Sequence, residues 1–164
     1  MPPSRKLIAL SLIGGLMLNL LPWQGFLLLL RPDFVALLLL YWCVNQPARL
    51  GIGTAWVMGV IMDVADGTLL GEHALAYVLV TYLALALRRR ILMFTLWQQA
   101  LHIVLLLLLL QGTLLLLHLA AGASFIGWSY FLAALTGTLL WAPLSFLLQL
   151  AQRKKTSPES KVSP

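Results

Sequence analysis

Long runs of apolar residues are the feature that most constrains what this 164-residue chain can fold into. One run is LLLLLL at 105–110, and the chain as a whole is 61% hydrophobic and only 10% charged. Soluble domains are about half apolar and about a quarter charged. The mean hydropathy of +0.94 therefore predicts that lipid, rather than water, surrounds most of the chain.

Breaks in the apolar runs divide the chain into six candidate membrane-spanning helices. A helix needs roughly 20 apolar residues to cross about 30 Å of hydrocarbon. The predicted spans are 7–27, 33–47, 50–66, 70–87, 93–118 and 127–150. The second span is short, so it is either buried by its neighbours or surrounded by locally thinned lipid. We therefore predict an all-α integral membrane protein, with one six-helix membrane domain at 1–152 and a disordered basic cytoplasmic tail at 153–164.

The distribution of charge predicts the orientation of these spans. Six spans put both termini on one side, and ten of the eleven lysines and arginines fall on that side. Basic residues are enriched in cytoplasmic loops, so we predict that both termini are cytoplasmic. The same pattern accounts for the net charge of +6 through topology and contact with anionic lipids, without a nucleic-acid partner. The other side holds Arg31 and four of the five acidic residues, Asp33, Asp63, Asp66 and Glu72.

Small residues recur at four-residue steps in the third span. Gly51, Ala55 and Gly59 are followed by Asp63, and on a helix these positions form one slowly drifting stripe. Asp66 lies three residues further along. Small residues let a second helix backbone approach closely, which favours helix association in lipid. The stripe predicts a packing surface for a partner or a neighbouring helix, whereas simple placement of Asp63 near the outer interface is the alternative.

The start of the fifth span carries the sequence Trp97-Gln98-Gln99, just after an arginine cluster. A tryptophan at this depth is typical of an anchor at the level of the lipid headgroups. The two glutamines are predicted to hydrogen-bond a neighbouring helix or a headgroup.

The sequence offers no catalytic or metal-binding pattern. His73, His102 and His118 are scattered and form neither H-x-x-H nor H-E-x-x-H. There is no G-x-S-x-G and no glycine-rich phosphate loop, and Asp63 and Asp66 have no histidine in the same motif. We therefore predict that the protein is not an enzyme and has neither a metal site nor a cofactor.

Two stretches rich in motifs give the chain a family resemblance. They are RPDFVALLLLYWCVNQPARLGIGTAWVMGVIMDVADGTLLGEHALA at 31–76 and LWQQAL at 96–101. The entry Arg31-Pro32-Asp33, the glycine-rich helix that closes on aspartate, the Gly-x-x-Leu-Gly turn and Trp97-Gln98-Gln99 resemble the MreD family of rod shape-determining proteins. The chain differs from that pattern at Asn45-Gln46 and at Glu72-His73.

The resemblance, rather than the pattern of residues, implies a function. MreD-like proteins are inner-membrane components of the machinery that elongates the cell wall of rod-shaped bacteria, and they have no enzymatic activity. They associate with MreC and, through it, with MreB, the polymerase RodA and its transpeptidase partner. Their fold is similar to the substrate-binding subunits of energy-coupling-factor transporters. The resemblance thus implies a scaffold that binds MreC and helps to maintain rod shape and lateral peptidoglycan synthesis.

A second function, of a different class, stays open. The shared architecture suggests a small-molecule or lipid-binding membrane subunit of a transporter. Its outward cavity would be lined by Asp33, Asp63 and Tyr41. A ligand site needs convergent polar groups, and the sequence contains few.

Overall fold

Seven α-helices and one 3-10 turn make up the regular structure of residues 5–22, 24–124 and 127–154, which the computed structural model describes. In chain order the elements are α1 (Arg5–Leu20), α2 (Phe26–Leu29), α3 (Phe34–Asn45), α4 (Ile52–Asp66), α5 (Glu72–Met93), α6 (Leu96–Ala120), the 3-10 turn (Trp128–Phe131) and α7 (Leu132–Lys154). The described residues contain no β-strand. The predicted all-α fold class is confirmed.

The six predicted spans correspond to the six longer helices, but two boundaries differ by more than five residues. α1 ends at Leu20 rather than continuing to residue 27, because Pro22 cannot continue a helix, and the short α2 follows separately. α5 does not end at residue 87 but continues through three arginines to Met93, because arginine favours helix although it interrupts the apolar run. Two helical segments, Trp97–Ala120 and Trp128–Gln152, are long and apolar enough to cross a membrane by length and composition.

α3 lies at the centre of the structure. Every residue from 35 to 44 is buried, and the helix contacts α1, α5 and α7. With 12 residues it is about 18 Å long at ~1.5 Å per residue, well short of the hydrocarbon thickness. The short second span is therefore covered by its neighbours, which is the first of the two alternatives given by the sequence.

α4 and α5 form the most extensive helix pair among the described residues. Glycines shape both this contact and the turn that connects the two helices. A Cβ atom on Gly59 would lie 2.3 Å from the Cα atom of Ala74, so only glycine allows the two backbones to approach this closely. The connecting turn uses Gly67 (φ 66°) and Gly71 (φ 111°), both in the left-handed region.

Successive long helices alternate in direction, so chemically different groups collect at two ends of the bundle. The acidic end contains Asp33, Asp63, Asp66 and Glu72, at the last turn of α4 and at the starts of α3 and α5. The opposite, basic end contains Arg49 and Arg88, whose Nε atom donates to the Val44 carbonyl oxygen. α7 extends to Lys154, and the rest of the predicted tail, 155–164, lies outside the described residues.

Candidate functional site at the acidic end

The carboxylate of Asp63 is completely buried and accepts hydrogen bonds from the start of the next helix. The backbone N–H of Gly71 donates to Oδ2 at 2.7 Å, and the backbone N–H of His73 donates to Oδ1 at 2.7 Å. The hydroxyl of Thr68 and the Nδ1 atom of His73 lie 3.3 and 3.0 Å from Oδ1. Asp63, at the end of α4, therefore caps the start of α5.

A cap from another helix is needed here because the residue that precedes α5 has no side chain to provide one. Gly71 occupies the N-cap position of α5 and makes no side-chain cap hydrogen bond. The first N–H groups of a helix have no partner within the helix, and the positive end of its dipole favours an anion. The Asp63 carboxylate meets both requirements, which explains why a charge is retained in so apolar a helix.

His73 links the two aspartates of α4. Its Nδ1 atom is 3.0 Å from Asp63, and its Nε2 atom is 3.8 Å from Asp66. His73 lies outside the sequence motif of these acids, because it follows Asp63 by ten residues and belongs to another helix. The α4–α5 turn brings the three side chains together.

A second carboxylate, Asp33, caps α3 at the same end. Its Oδ1 atom accepts from the backbone N–H of Ala36 at 3.0 Å and from Asn19 Nδ2 at 3.0 Å. Its Oδ2 atom accepts from the hydroxyl of Tyr77 at 2.6 Å. Asn19 also accepts, through its side-chain oxygen, from the backbone N–H of Phe34 at 3.0 Å. The Asn19–Asp33–Tyr77 cluster thus ties α1, α3 and α5 together.

We expect Tyr77→Phe to weaken this cluster without creating a large cavity, since only the hydroxyl is removed. The hydrogen bond goes to a charged acceptor, so its loss should cost about 1.5–3 kcal/mol of stability. The measurement is the midpoint of thermal unfolding of the purified protein in mild detergent. Tyr82→Phe, at an exposed position on the same helix, is the matched control and should leave the midpoint unchanged. Equal midpoints for both variants would contradict the role of the Tyr77 hydroxyl.

A third pair joins α5 to α6. The Nδ1 atom of His118, near the end of α6, lies 3.2 Å from Oε2 of Glu72. Glu72 is buried, whereas His118 is partly exposed. Each acid of the acidic end therefore has a partner on another helix or across a turn.

These side chains surround a cavity of about 350 Å³, hereafter the acidic-end cavity. Its lining includes Arg31, the acids Asp33, Asp66 and Glu72, the histidines His73 and His118, and Tyr130. Asp33 lines the cavity as the sequence suggests, but Asp63 and Tyr41 do not. Asp63 is enclosed by the α4–α5 turn, and Tyr41 is buried further along α3, where its hydroxyl accepts from Gln152 at 3.0 Å.

Some residues of the small-residue stripe of α4 are buried, and others are accessible. Ala55, Gly59 and Asp63 are buried, and Gly59 contacts α5 of the same chain. Gly51 is half-buried, with no described heavy atom within 4 Å of the position its Cβ would take, and Asp66 is exposed. The face at Gly59 therefore carries an intramolecular helix contact, and only the two ends of the stripe remain accessible.

The other two motifs, Arg31-Pro32-Asp33 and Trp97-Gln98-Gln99, lie at the starts of α3 and α6. Pro32 is buried and Asp33 is the N-cap of α3. The side-chain oxygen of Gln98 accepts from the backbone N–H of Thr95, which completes a capping box, and Gln99 Nε2 donates to the Phe94 carbonyl oxygen. Trp97 is 81% exposed. Both glutamines thus have local partners at the start of α6.

Three residues of the site were not predicted from the sequence. Asn19, Tyr77 and Gln111 lie inside apolar segments and share no motif with the acids. The one available signal is that a polar amide within a membrane helix requires a hydrogen-bonding partner. Which partner such a side chain finds depends on the tertiary arrangement of α1, α3, α5 and α6.

The contacts that the structure shows at the site join helices to one another. The carboxylates accept hydrogen bonds from helix starts, a tyrosine and histidines, and no nucleophile with an adjacent base is apparent among the described residues. No group of three or more His, Cys, Asp or Glu side chains in the described ranges could hold a metal ion. Fold and site together define an all-helical protein with two described helices long and apolar enough to cross a membrane, in which carboxylates join the ends of helices.

Similarity to known proteins identifies the family of this chain. A profile described as rod shape-determining protein MreD matches residues 4–151. A protein named Rod shape-determining protein MreD from Haemophilus influenzae is 32% identical over 140 residues, covering 84% of this chain and 85% of that protein. No solved structure matches the chain significantly. The chain belongs to the MreD family of rod shape-determining proteins, a structural family of the bacterial shape-determining system.

Proposed function

We propose that this protein is a non-catalytic, multi-pass scaffold in the bacterial inner membrane, with both termini in the cytoplasm. It binds MreC directly and belongs to the same cell-wall elongation complex as MreB, RodA and its transpeptidase partner. In that complex it helps to maintain rod shape and lateral peptidoglycan synthesis. The observation that carries the proposal is the family match over residues 4–151. The use of the buried carboxylates for helix capping supports a structural role.

A face of α4 is the proposed contact for the transmembrane helix of MreC. Gly51 and Asp66, the accessible ends of the stripe, lie about 22 Å apart along α4 at ~1.5 Å per residue. On the side of α4 that faces away from the stripe, Trp56, Val57 and Val64 are 55%, 50% and 69% exposed, and this exposed side is the proposed contact. Gly53 has no described heavy atom within 4 Å of the position of a Cβ, so a partner backbone could approach closely there.

Gly53→Leu tests this contact, because an added Cβ at this exposed position would have no described heavy atom within 4 Å. We expect the variant to reach normal membrane levels but to retain less than about a tenth of the MreC that co-purifies with the unchanged protein, which corresponds to at least ~1.4 kcal/mol. The measurement is quantitative co-purification from membranes.

Photo-crosslinking provides a matched control for the same surface. A photo-reactive residue at position 53 or 57 should crosslink to MreC, whereas one at the exposed Leu139 of α7 should not. Full retention of MreC by Gly53→Leu, together with MreC crosslinks from position 139 alone, would place the interface elsewhere.

The second candidate function, a small-molecule or lipid-binding subunit of a transporter, is favoured by the acidic-end cavity. A cavity supports binding but not transport, and fold similarity does not establish a transport function. Co-purification of the chain with an energy-coupling ATPase, in place of MreC, would support this candidate over the scaffold.

A further inference from the structure

We propose that the acidic-end cavity binds a zwitterionic group that carries a phosphate and a primary ammonium, supplied by the headgroup of a membrane phospholipid such as phosphatidylethanolamine. This inference goes beyond the scaffold function and does not depend on MreC binding. It rests on two groups without partners, on the charge of the cavity lining and on the apolar part of that lining.

Two polar groups in the cavity wall lack partners. Gln111 is only 9% exposed, and its Oε1 atom is buried without a hydrogen bond to any described residue. The guanidinium of Arg31 is half-buried and, within residues 5–22, 24–124 and 127–154, makes neither a hydrogen bond nor an ion pair. Buried polar groups are nearly always satisfied, so the unpartnered oxygen of Gln111, in a cavity wall that also contains the unpartnered Arg31, points to a ligand.

Arg31 identifies the anionic part of that ligand. A guanidinium presents several N–H donors in a planar fork that matches the oxygens of phosphate. The side-chain amide of Gln111 can offer either its oxygen or, after a half-turn, its nitrogen, so it can hydrogen-bond an ammonium or a phosphate oxygen. The three acids that line the cavity already have partners within the chain and do not neutralise Arg31.

The acids identify the cationic part. Besides the two histidines, the lining residues Arg31, Asp33, Asp66 and Glu72 carry one positive and three negative formal charges. A simple anion would be repelled by this excess of negative charge, whereas a zwitterion with an ammonium group would be attracted. Glu72 receives one hydrogen bond, from His118, and a carboxylate has about four acceptor positions, so it can accept from an ammonium as well.

The remaining lining favours a lipid over a soluble molecule. Five leucines share the wall with the charged groups: Leu28, Leu107, Leu110, Leu114 and Leu115. The volume of about 350 Å³ lies near the lower end of the range of about 300–1,000 Å³ for small-molecule sites. It is large enough for a headgroup and the first part of its glycerol but not for acyl chains, which would extend along the apolar outer surface of the helices.

The test is native mass spectrometry of the full-length protein released from membranes in mild detergent, with thermal unfolding measured in parallel. We expect phosphatidylethanolamine to be retained and to raise the unfolding midpoint more than phosphatidylglycerol, which has the phosphate but no ammonium. Arg31→Gln should reduce retained phosphatidylethanolamine at least about tenfold, since hydrogen bonds to charged groups exceed a tenfold effect. Arg49→Gln, at an exposed arginine of the basic end, is the matched control and should retain the lipid.

Gln111→Leu keeps the size of the side chain and provides a second variant in case Arg31→Gln does not fold. Its lipid retention should fall severalfold, although its unfolding midpoint without added lipid should not. The proposal is overturned if the Arg31 and Gln111 variants retain as much lipid as the Arg49 variant. It is also overturned if phosphatidylglycerol binds equally well, or if soluble phosphoethanolamine stabilises the protein and phosphatidylethanolamine does not.

Discussion

Gly59→Leu is expected to separate α4 from α5 and to lower the stability of the protein by at least about 3 kcal/mol, the upper end of the usual cost of overpacking. The reason is geometric, because even a Cβ atom would lie 2.3 Å from the Cα and 2.5 Å from the N atom of Ala74. Both are backbone atoms, so no side-chain rotation can relieve the overlap. The measurement is the unfolding midpoint of the purified protein and its level in the membrane.

Gly53→Leu is the matched control, since it makes the same change on the same helix at a position with open space. Its unfolding midpoint should not fall. If Gly59→Leu unfolds at the same temperature as Gly53→Leu, the close contact of α4 with α5 does not exist in the membrane. Loss of MreC from the Gly59 variant alone would not identify an interface, because a misfolded α4–α5 pair would have the same effect.

Asp63→Asn is the second variant with a large expected effect, although it preserves the size and shape of the side chain. Both carboxylate oxygens accept from backbone N–H groups, Oδ1 from His73 and Oδ2 from Gly71, each at 2.7 Å. An amide has one oxygen, so its NH₂ group must face one of these donors, whichever way it turns. The unsatisfied donor and the lost charge at the start of α5 should together cost about 2–4 kcal/mol.

Asp66→Asn is the control for Asp63→Asn, because Asp66 is exposed and its one ion-pair contact, to His73, is long at 3.8 Å. It should change the unfolding midpoint by little, since exposed pairs contribute about 0–1 kcal/mol. In cells whose shape depends on this protein, the Asp63 variant should fail to restore rods and the Asp66 variant should succeed. Full rescue by Asp63→Asn at normal stability would show that the carboxylate is not needed as a cap.

The helices were predictable from the sequence because apolar runs and their breaks determine where helices can lie in lipid. The position of Asp63 at the end of a small-residue stripe also indicated a packing role. The sequence did not indicate which helix packs against that stripe. Ala74 follows Gly59 by fifteen residues, and only the left-handed turn at Gly67 and Gly71 places it against Gly59.

The composition of the site was less predictable than the fold. Asn19, Asp33 and Tyr77 come from three helices that are separated by long apolar segments, and their contacts depend on how α1 and α5 pack around α3. Gln111 follows directly after a leucine run, so its membership of a cavity wall cannot be read from its neighbours in the sequence. Local patterns identify such residues as unusual, but only tertiary packing shows what they contact.

The enclosure of α3 has a consequence for biogenesis. A segment of 12 residues is too short to span a bilayer by itself, so in the proposed multi-pass arrangement α3 should stay associated with α1 or with the insertion machinery until α5 and α7 have been synthesised. Because α7 is the last helix of the described residues, α3 becomes fully enclosed only after residues 132–154 have been synthesised. Ribosome-arrested chains that stop before residue 132 should therefore leave α3 accessible to proteases or to membrane-embedded chaperones.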